Sequence, residues 1–324
     1  MNANMSDLAI IESANQNYLS GLEFLQTSCI KCRFNPDYGD AIPYFKKAAE
    51  VYHGCKQYEK EISTREKLIN CFRGEKSYWE EGNEYEKISQ VQLNQLKAVQ
   101  DAQNSIINSF HAYAGNRSYK DGIKALSKSS TNFVETENKK EAIKILEFAF
   151  NEINKYYHVV TLDKEDSHQY IYDCIDKYID LLFGEEEYEK CAEIAKQTAD
   201  LIKKDQKEEK KLICKYYGLQ AISELLGKKE ENFQSTIQKG IEFEADGNDF
   251  CSKINRLVNV VRQNEKENER LIKSLFNEIS RKVPASVSKL INLKLIQQNE
   301  NKSDNNNSNE IEIKTGLSEE DDLQ

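Results

Sequence analysis

Apolar residues recur three and four positions apart along most of this chain, the spacing of amphipathic helices. Residues 6–27 carry Leu8, Ile10, Ile11, Ala14, Tyr18, Gly21, Leu22 and Leu25 at that spacing and predict a first helix. From Tyr38 a second stripe runs through Ala41, Tyr44, Phe45, Ala48, Ala49 and Tyr52, with small residues where neighbouring helices must come close. Further helices are expected at 56–72, 76–89, 93–114, 117–134, 138–158, 167–183, 186–204, 208–226 and 229–243. Beyond the turn Ala245-Asp-Gly-Asn-Asp249 the pattern gives helices at 250–263 and 269–281, a break at Pro284, and a last apolar segment from Val287 to Leu295. The only prolines are Pro36, Pro43 and Pro284, so residues 44–283 hold no obligatory helix breaker.

The polar positions repeat too. Gly54-Cys-Lys-Gln-Tyr58, Gly74-Glu-Lys-Ser-Tyr78, Gly115-Asn-Arg-Ser-Tyr119 and Gly184-Glu-Glu-Glu-Tyr188 each place a tyrosine four residues after a glycine, and Asn35-Pro-Asp-Tyr38 is a variant. The tyrosines at 38, 58, 78 and 119 are separated by about one helix and turn, then by about two, the period of stacked helical hairpins. Glycine is expected to close each helix in the left-handed conformation, and the aromatic ring to open the next facing its neighbour. The expected architecture is all-α: a right-handed, TPR-like hairpin solenoid over 1–244, a helical bundle capping it over 245–296, and a flexible Asn-rich linker and acidic tail over 297–324.

Composition sharpens the functional reading. A chain of 324 residues that is 39% hydrophobic can build a real core. Of its net charge of −10, half lies in the last 24 residues, which hold seven carboxylates against Lys302 and Lys314. This argues against general nucleic-acid binding and suits a basic protein partner for the tail. Eight scattered cysteines read as reduced core residues rather than a secreted disulfide framework. No long apolar leader or membrane-length run is visible, so a cytoplasmic protein is expected.

Catalytic patterns are sparse. His53, His111, His158 and His168 have no metal-ligand spacing around them, and Cys29-x-x-Cys32 is a single pair, short of a zinc site. No glycine-rich phosphate loop or nucleophile elbow occurs, and neither an enzyme nor a cofactor or metal is expected. One connection is unusual: Phe24 to Phe34 sets Phe24, Leu25, Ile30 and Phe34 beside Lys31 and Arg33 where polar residues would be normal. It reads either as a loop tucked under the next hairpin or as one that touches membrane, with Cys29 and Cys32 as possible acylation sites.

Lys31 to Tyr58, with Pro36-Asp-Tyr38, Ala41, Tyr44, Lys47-Ala-Ala49 and Lys56-Gln-Tyr58-Glu, resembles the opening of the gamma type of the soluble NSF attachment protein (SNAP) family. The repeat spacing, the turn at 246–249 and the acidic end extend the likeness over the rest of the chain as architecture. The resemblance implies an adaptor in vesicle trafficking and membrane fusion, including traffic between endoplasmic reticulum and Golgi. It would hold bundled SNARE helices and recruit the hexameric ATPase NSF for their disassembly. It would act as several copies around one bundle while associating weakly with membranes of the secretory and endosomal pathway.

The resemblance also implies sites. Glu319, Glu320, Asp321, Asp322 and Leu323 match the acidic end, leucine next to last, with which alpha-type relatives engage the ATPase. Phe24, Leu25, Cys29, Ile30 and Phe34 fall in the loop the family uses at membranes, here without the paired phenylalanines of the alpha type. Lys124, with Arg117 nearby, lies where alpha-type proteins place a SNARE-facing lysine. The alternative is a TPR-like peptide-binding scaffold or co-chaperone, which would need basic and Asn side chains at equivalent positions of successive helices.

Overall fold

The computed structural model describes residues 5–27, 34–161, 168–204, 209–244, 250–263 and 268–297. Among them the chain is helical throughout, with fourteen α-helices and no strand. It divides into two compact units, Met1–Ile175 and Asp176–Gln324. The division falls inside a helix, while the turn at 245–249 lies outside the described residues.

The first unit contains α1 (Met5–Leu25), α2 (Tyr38–Gly54), α3 (Tyr58–Gly74), α4 (Tyr78–Val91), α5 (Val99–Gly115), α6 (Tyr119–Glu135), α7 (Lys139–Thr161) and the opening of α8 (Gln169–Gly184). Consecutive helices from α1 to α7 pack as neighbours. The second unit holds the rest of α8, then α9 (Tyr188–Lys204), α10 (Lys210–Leu226), α11 (Glu230–Ile241), α12 (Phe250–Gln263), α13 (Glu269–Ser280) and α14 (Ala285–Leu290), which runs into a π-helical segment, Ile291–Gln297. Helices α9 to α14 also pack in sequence, and α12 touches α10 as well as α11.

One turn, used six times, sets this pairing. After α2, α3, α5, α6, α8 and α10 a residue with φ near +60° follows the helix: Lys56, Lys76, Arg117, Glu137, Glu186 and Lys228. The amide of the next residue reaches back five positions, as in Ser77 N to Phe72 O at 2.8 Å, Ser118 N to Tyr113 O at 3.0 Å and Asn138 N to Phe133 O at 2.8 Å. Together with the bond three positions back, this is the Schellman closure, which satisfies carbonyls the helix end leaves open. The same residue then caps the next helix, Ser77 O accepting from Glu81 N at 3.0 Å. A turn so short forces consecutive helices to run antiparallel.

The expectation that glycine takes the left-handed position is therefore corrected. Gly54, Gly74, Gly115 and Gly184 are the last residues of their helices, and long charged side chains occupy the left-handed site. Counting Lys97, five of the seven such residues are Lys or Arg, where a cation complements the helix C-terminus. Glycine is needed for another reason at Gly74: a methyl group there would overlap the Tyr38 ring. Tyr78 lies against Gly115 and Tyr188 against Gly227 at ordinary contact distance, so the tyrosine that opens one helix covers the end of the next without requiring glycine there. The α6–α7 hairpin has no such glycine; α7 continues past Tyr119, and Tyr119 stacks on Tyr156 with centroids 4.4 Å apart.

Two helix boundaries depart from the periodicity. The expected helix at 93–114 begins only at Val99, because α4 runs on into a π-helical turn, Gln92–Leu96, that ends at left-handed Lys97. The wider turn buries Leu93, and Gln92 Oε1 accepts from Ser105 Oγ at 2.8 Å. In α1, Leu8 and Ile10 are exposed although they belong to the expected core stripe. This terminal helix has α2 as its neighbour and buries one narrow side, with Ala14 and Gly21 on it.

Around Gly21 the ring of Phe45 sits 2.8 Å from where a side-chain carbon would be. Phe45, Ala41, Leu68, Cys71 and Phe72 form a core cluster on which Tyr18, Leu22, Phe24 and Leu25 lean. Beside it runs a buried polar seam. Arg65 on α3 pairs with Glu61 at 2.8 Å and with Glu84 on α4 at 2.7 Å. His53 Nδ1 meets the other Glu61 oxygen at 2.8 Å, and Lys87 the other Glu84 oxygen at 2.6 Å. Both carboxylates thus have every oxygen engaged, the condition for keeping charges inside a protein.

Candidate interaction surfaces

The sequence points to three places, and the structure brings only parts of them together. At the first connection, the carbonyl of Phe24 accepts a hydrogen bond from Asp37 N at 3.0 Å, which joins the two ends of the loop. Phe24 also stacks on Tyr44, with centroids 5.4 Å apart, and with Leu25 it is half-buried against the core cluster. These two side chains are committed to packing. Phe34, by contrast, is 73% exposed. Cys29 and Ile30 lie outside the described residues. Leu8 and Leu19, each 58% exposed, are eleven residues apart and so share one side of α1; the periodicity gave no signal that they face outward.

The basic candidates sit on α6 and the turn before it. Arg117 occupies the left-handed turn position, which Lys56, Lys76 and Lys228 fill elsewhere, so the fold alone accounts for its backbone. Lys124 is exposed, its ammonium 5.6 Å from the Tyr170 ring centroid, within cation–π range. Lys128, one turn on, is exposed as well, and Lys120, one turn before, is half-exposed. Lys120, Lys124 and Lys128 therefore form a ladder on one side of α6. The spacing of four was readable in the sequence, but only the register of α6 shows that it faces outward.

Beyond α6, Lys155 lies 4.7 Å from the Tyr156 ring. Hydrogen bonding to Tyr156, and then the Glu152 carboxylate, raises its pKa and keeps it cationic. With the Tyr119–Tyr156 stack, these groups alternate lysines and aromatic faces across α6, α7 and the start of α8 in the first unit. Such an arrangement can hold acidic side chains by charge and apolar stems by ring contact.

The third place, Glu319 to Leu323, lies outside the described residues. No helix among the described residues is long and apolar enough to cross a membrane. No known family model and no curated protein sequence matches the chain.

Proposed function

We propose that this protein is an adaptor of the SNAP kind, which holds bundled SNARE helices and presents an acidic end to the ATPase NSF. In this reading the paired helices stack as a right-handed TPR-like solenoid, and residues 245–296 close it as a bundle. What supports the stacking is the recurrence of the same Schellman turn, and of an aromatic contact between the tyrosine that opens one helix and the helix after it at two-helix intervals: Tyr38 and Tyr78 on helix ends, Tyr119 on Tyr156 within α7.

The observation that carries the functional reading is the lysine ladder of α6. In a chain of net charge −10, Lys120, Lys124 and Lys128, with Arg117 in the preceding turn, concentrate positive charge on one side of one helix. That suits the acidic outer surface of a helical bundle, where complementary charge speeds encounter and fixes register. Glu319, Glu320, Asp321, Asp322 and Leu323 would be steered in the same way to a basic face of NSF. The exposed ring of Phe34 would add a weak peripheral membrane contact. The role is that of a scaffold in vesicle fusion, with no chemistry of its own.

The test has two arms: ATP hydrolysis by purified NSF with the full chain or a chain ending at Ser318, and retention on assembled SNARE bundles of the chain with and without Lys124→Glu and Lys128→Glu. Stimulation lost on truncation, with bundle binding weakened about tenfold or more by the charge reversals, is the expected result. A folded chain to which neither NSF nor SNARE bundles respond would overturn the adaptor reading in favour of a peptide-binding scaffold.

A further inference from the structure

In the second unit, three helices bring two sulfurs and a carboxylate to one point. Cys214 lies in the first turns of α10, Glu244 just beyond α11, and Cys251 at the second residue of α12. Cys214 Sγ is 3.4 Å from Cys251 Sγ and 3.5 Å from Glu244 Oε1, and all three donor atoms lie within 4.8 Å of one another. Both cysteines are buried and Glu244 is half-buried. The convergence depends on two glycines: a methyl on Gly240 would overlap Cys251 Sγ, and one on Gly218 would overlap the Phe250 ring. Only because both positions lack a side chain does the start of α12 settle onto α10 and α11.

We infer that Cys214, Cys251 and Glu244 form a zinc(II) site that staples α10, the end of α11 and the start of α12. Zinc bonds of about 2.3 Å to sulfur and about 2.1 Å to oxygen fit the observed separations with angles of roughly 95° between the sulfurs and roughly 105° between Cys214 and the carboxylate, near tetrahedral. The separation between Cys251 Sγ and the carboxylate, within 4.8 Å, is close to the roughly 4.4 Å that such bonds can span, and the fourth position goes to water on the half-exposed side of Glu244. The donor set selects the ion. Two thiolates disfavour magnesium and calcium, which prefer oxygen alone, and the carboxylate disfavours copper(I), which prefers sulfur.

The carboxylate is already held for this task. Ser252 donates its backbone N–H to Glu244 Oε1 at 2.9 Å and its hydroxyl to Glu244 Oε2. Outer hydrogen bonds of this kind fix the orientation of metal-binding carboxylates. Without metal the same atoms make an ordinary helix cap and buried thiols, Cys251 Sγ donating to Cys214 O at 3.1 Å. Entry of the ion expels the two thiol protons, so binding strengthens as pH rises toward the thiol range.

The test uses the full chain with Cys29→Ser and Cys32→Ser, so that the closely spaced Cys-x-x-Cys pair cannot contribute. The reduced protein is titrated with zinc alone against a chromophoric chelator, and with cobalt(II) followed by its thiolate charge-transfer absorption. One ion per chain, release of two protons and a raised melting temperature are expected. Cys214→Ser or Cys251→Ser should weaken binding by about a hundredfold or more, and Ser252→Ala by about tenfold. Circular dichroism in chelator checks that each variant is folded, and the cobalt spectrum requires no variant at that site. Failure to retain zinc at micromolar concentration, stoichiometric binding that survives both cysteine replacements, or a Cys214–Cys251 disulfide in protein prepared without reductant would each overturn the assignment.

Discussion

Replacing Arg65 by Met would test whether the polar seam of the first unit holds α3 and α4 together. Arg65 bridges Glu61, which is 0% exposed, and Glu84 on the next helix. Each contact is worth about 4 kcal/mol gross at an effective dielectric near 20, most of it offset by the cost of taking the charges out of water. Removing the cation leaves that cost in place. His53 and Lys87 remain beside the two carboxylates but reach only one oxygen of each. The expected loss is about 3–5 kcal/mol, the usual penalty for stranding a buried partner. For a unit of this size it lowers the melting temperature by roughly 10 °C. The only tryptophan, Trp79, lies on α4 against Tyr113 in the same unit, so its fluorescence reports this transition directly. The triple change Arg65→Met, Glu61→Gln and Glu84→Gln removes the stranded charges and should recover at least half of the loss. A drop below about 2 °C for Arg65→Met would refute the reasoning, and so would a triple variant no more stable than the single one.

Other expectations follow from the turns, the thiols and the first loop. Lys76→Gly relieves a left-handed non-glycine backbone and should stabilise by about 1 kcal/mol, whereas Gly74→Ala two residues earlier drives a methyl into Tyr38 and should destabilise by about 1–3 kcal/mol; urea melts of both read the opposite signs. Burial pushes the Cys71 thiol up to about 11, with Glu75 adding to it, and burial likewise raises Cys191 and Tyr113. The unfolded chain then loses these protons first, so the stability from keeping them neutral is complete below about pH 9 and falls as pH rises from 9 toward 11. At pH 8 Cys71 should alkylate about a hundredfold more slowly than an unburied cysteine, and mass spectrometry of timed samples would expose a faster rate. Phe34→Ser with Ile30→Ser should weaken liposome flotation more than binding to SNARE bundles in solution; equal losses in both would remove the membrane role from this loop.

Legibility followed the physical range of each signal. The helices were readable because their stripes are local: Ala41, Phe45, Ala48, Ala49 and Tyr52 repeat within one helix, and all are buried. The hairpin period was readable because each Gly-x-x-x-Tyr marks a turn of fixed length. The meaning of its glycine was not, since the need arises across the hairpin, where Gly74 meets a tyrosine 36 residues away. The break at Lys97 carried no glycine or proline, and whether Leu93 would be buried depended on packing against other helices.

The candidate surfaces divide in the same way. Sequence alone determined an all-helical chain, its repeat, its acidic end and a set of basic and apolar candidates, because composition and periodicity are properties of neighbours along the chain. Tertiary structure decided that Phe24 is held by Tyr44 while Phe34 stands exposed, that Lys128 joins Lys124 on an outward side, and that Cys214, Glu244 and Cys251 meet. Those three residues span 37 positions in sequence. Their meeting depends on the missing side chains of Gly218 and Gly240, a condition that no local pattern encodes.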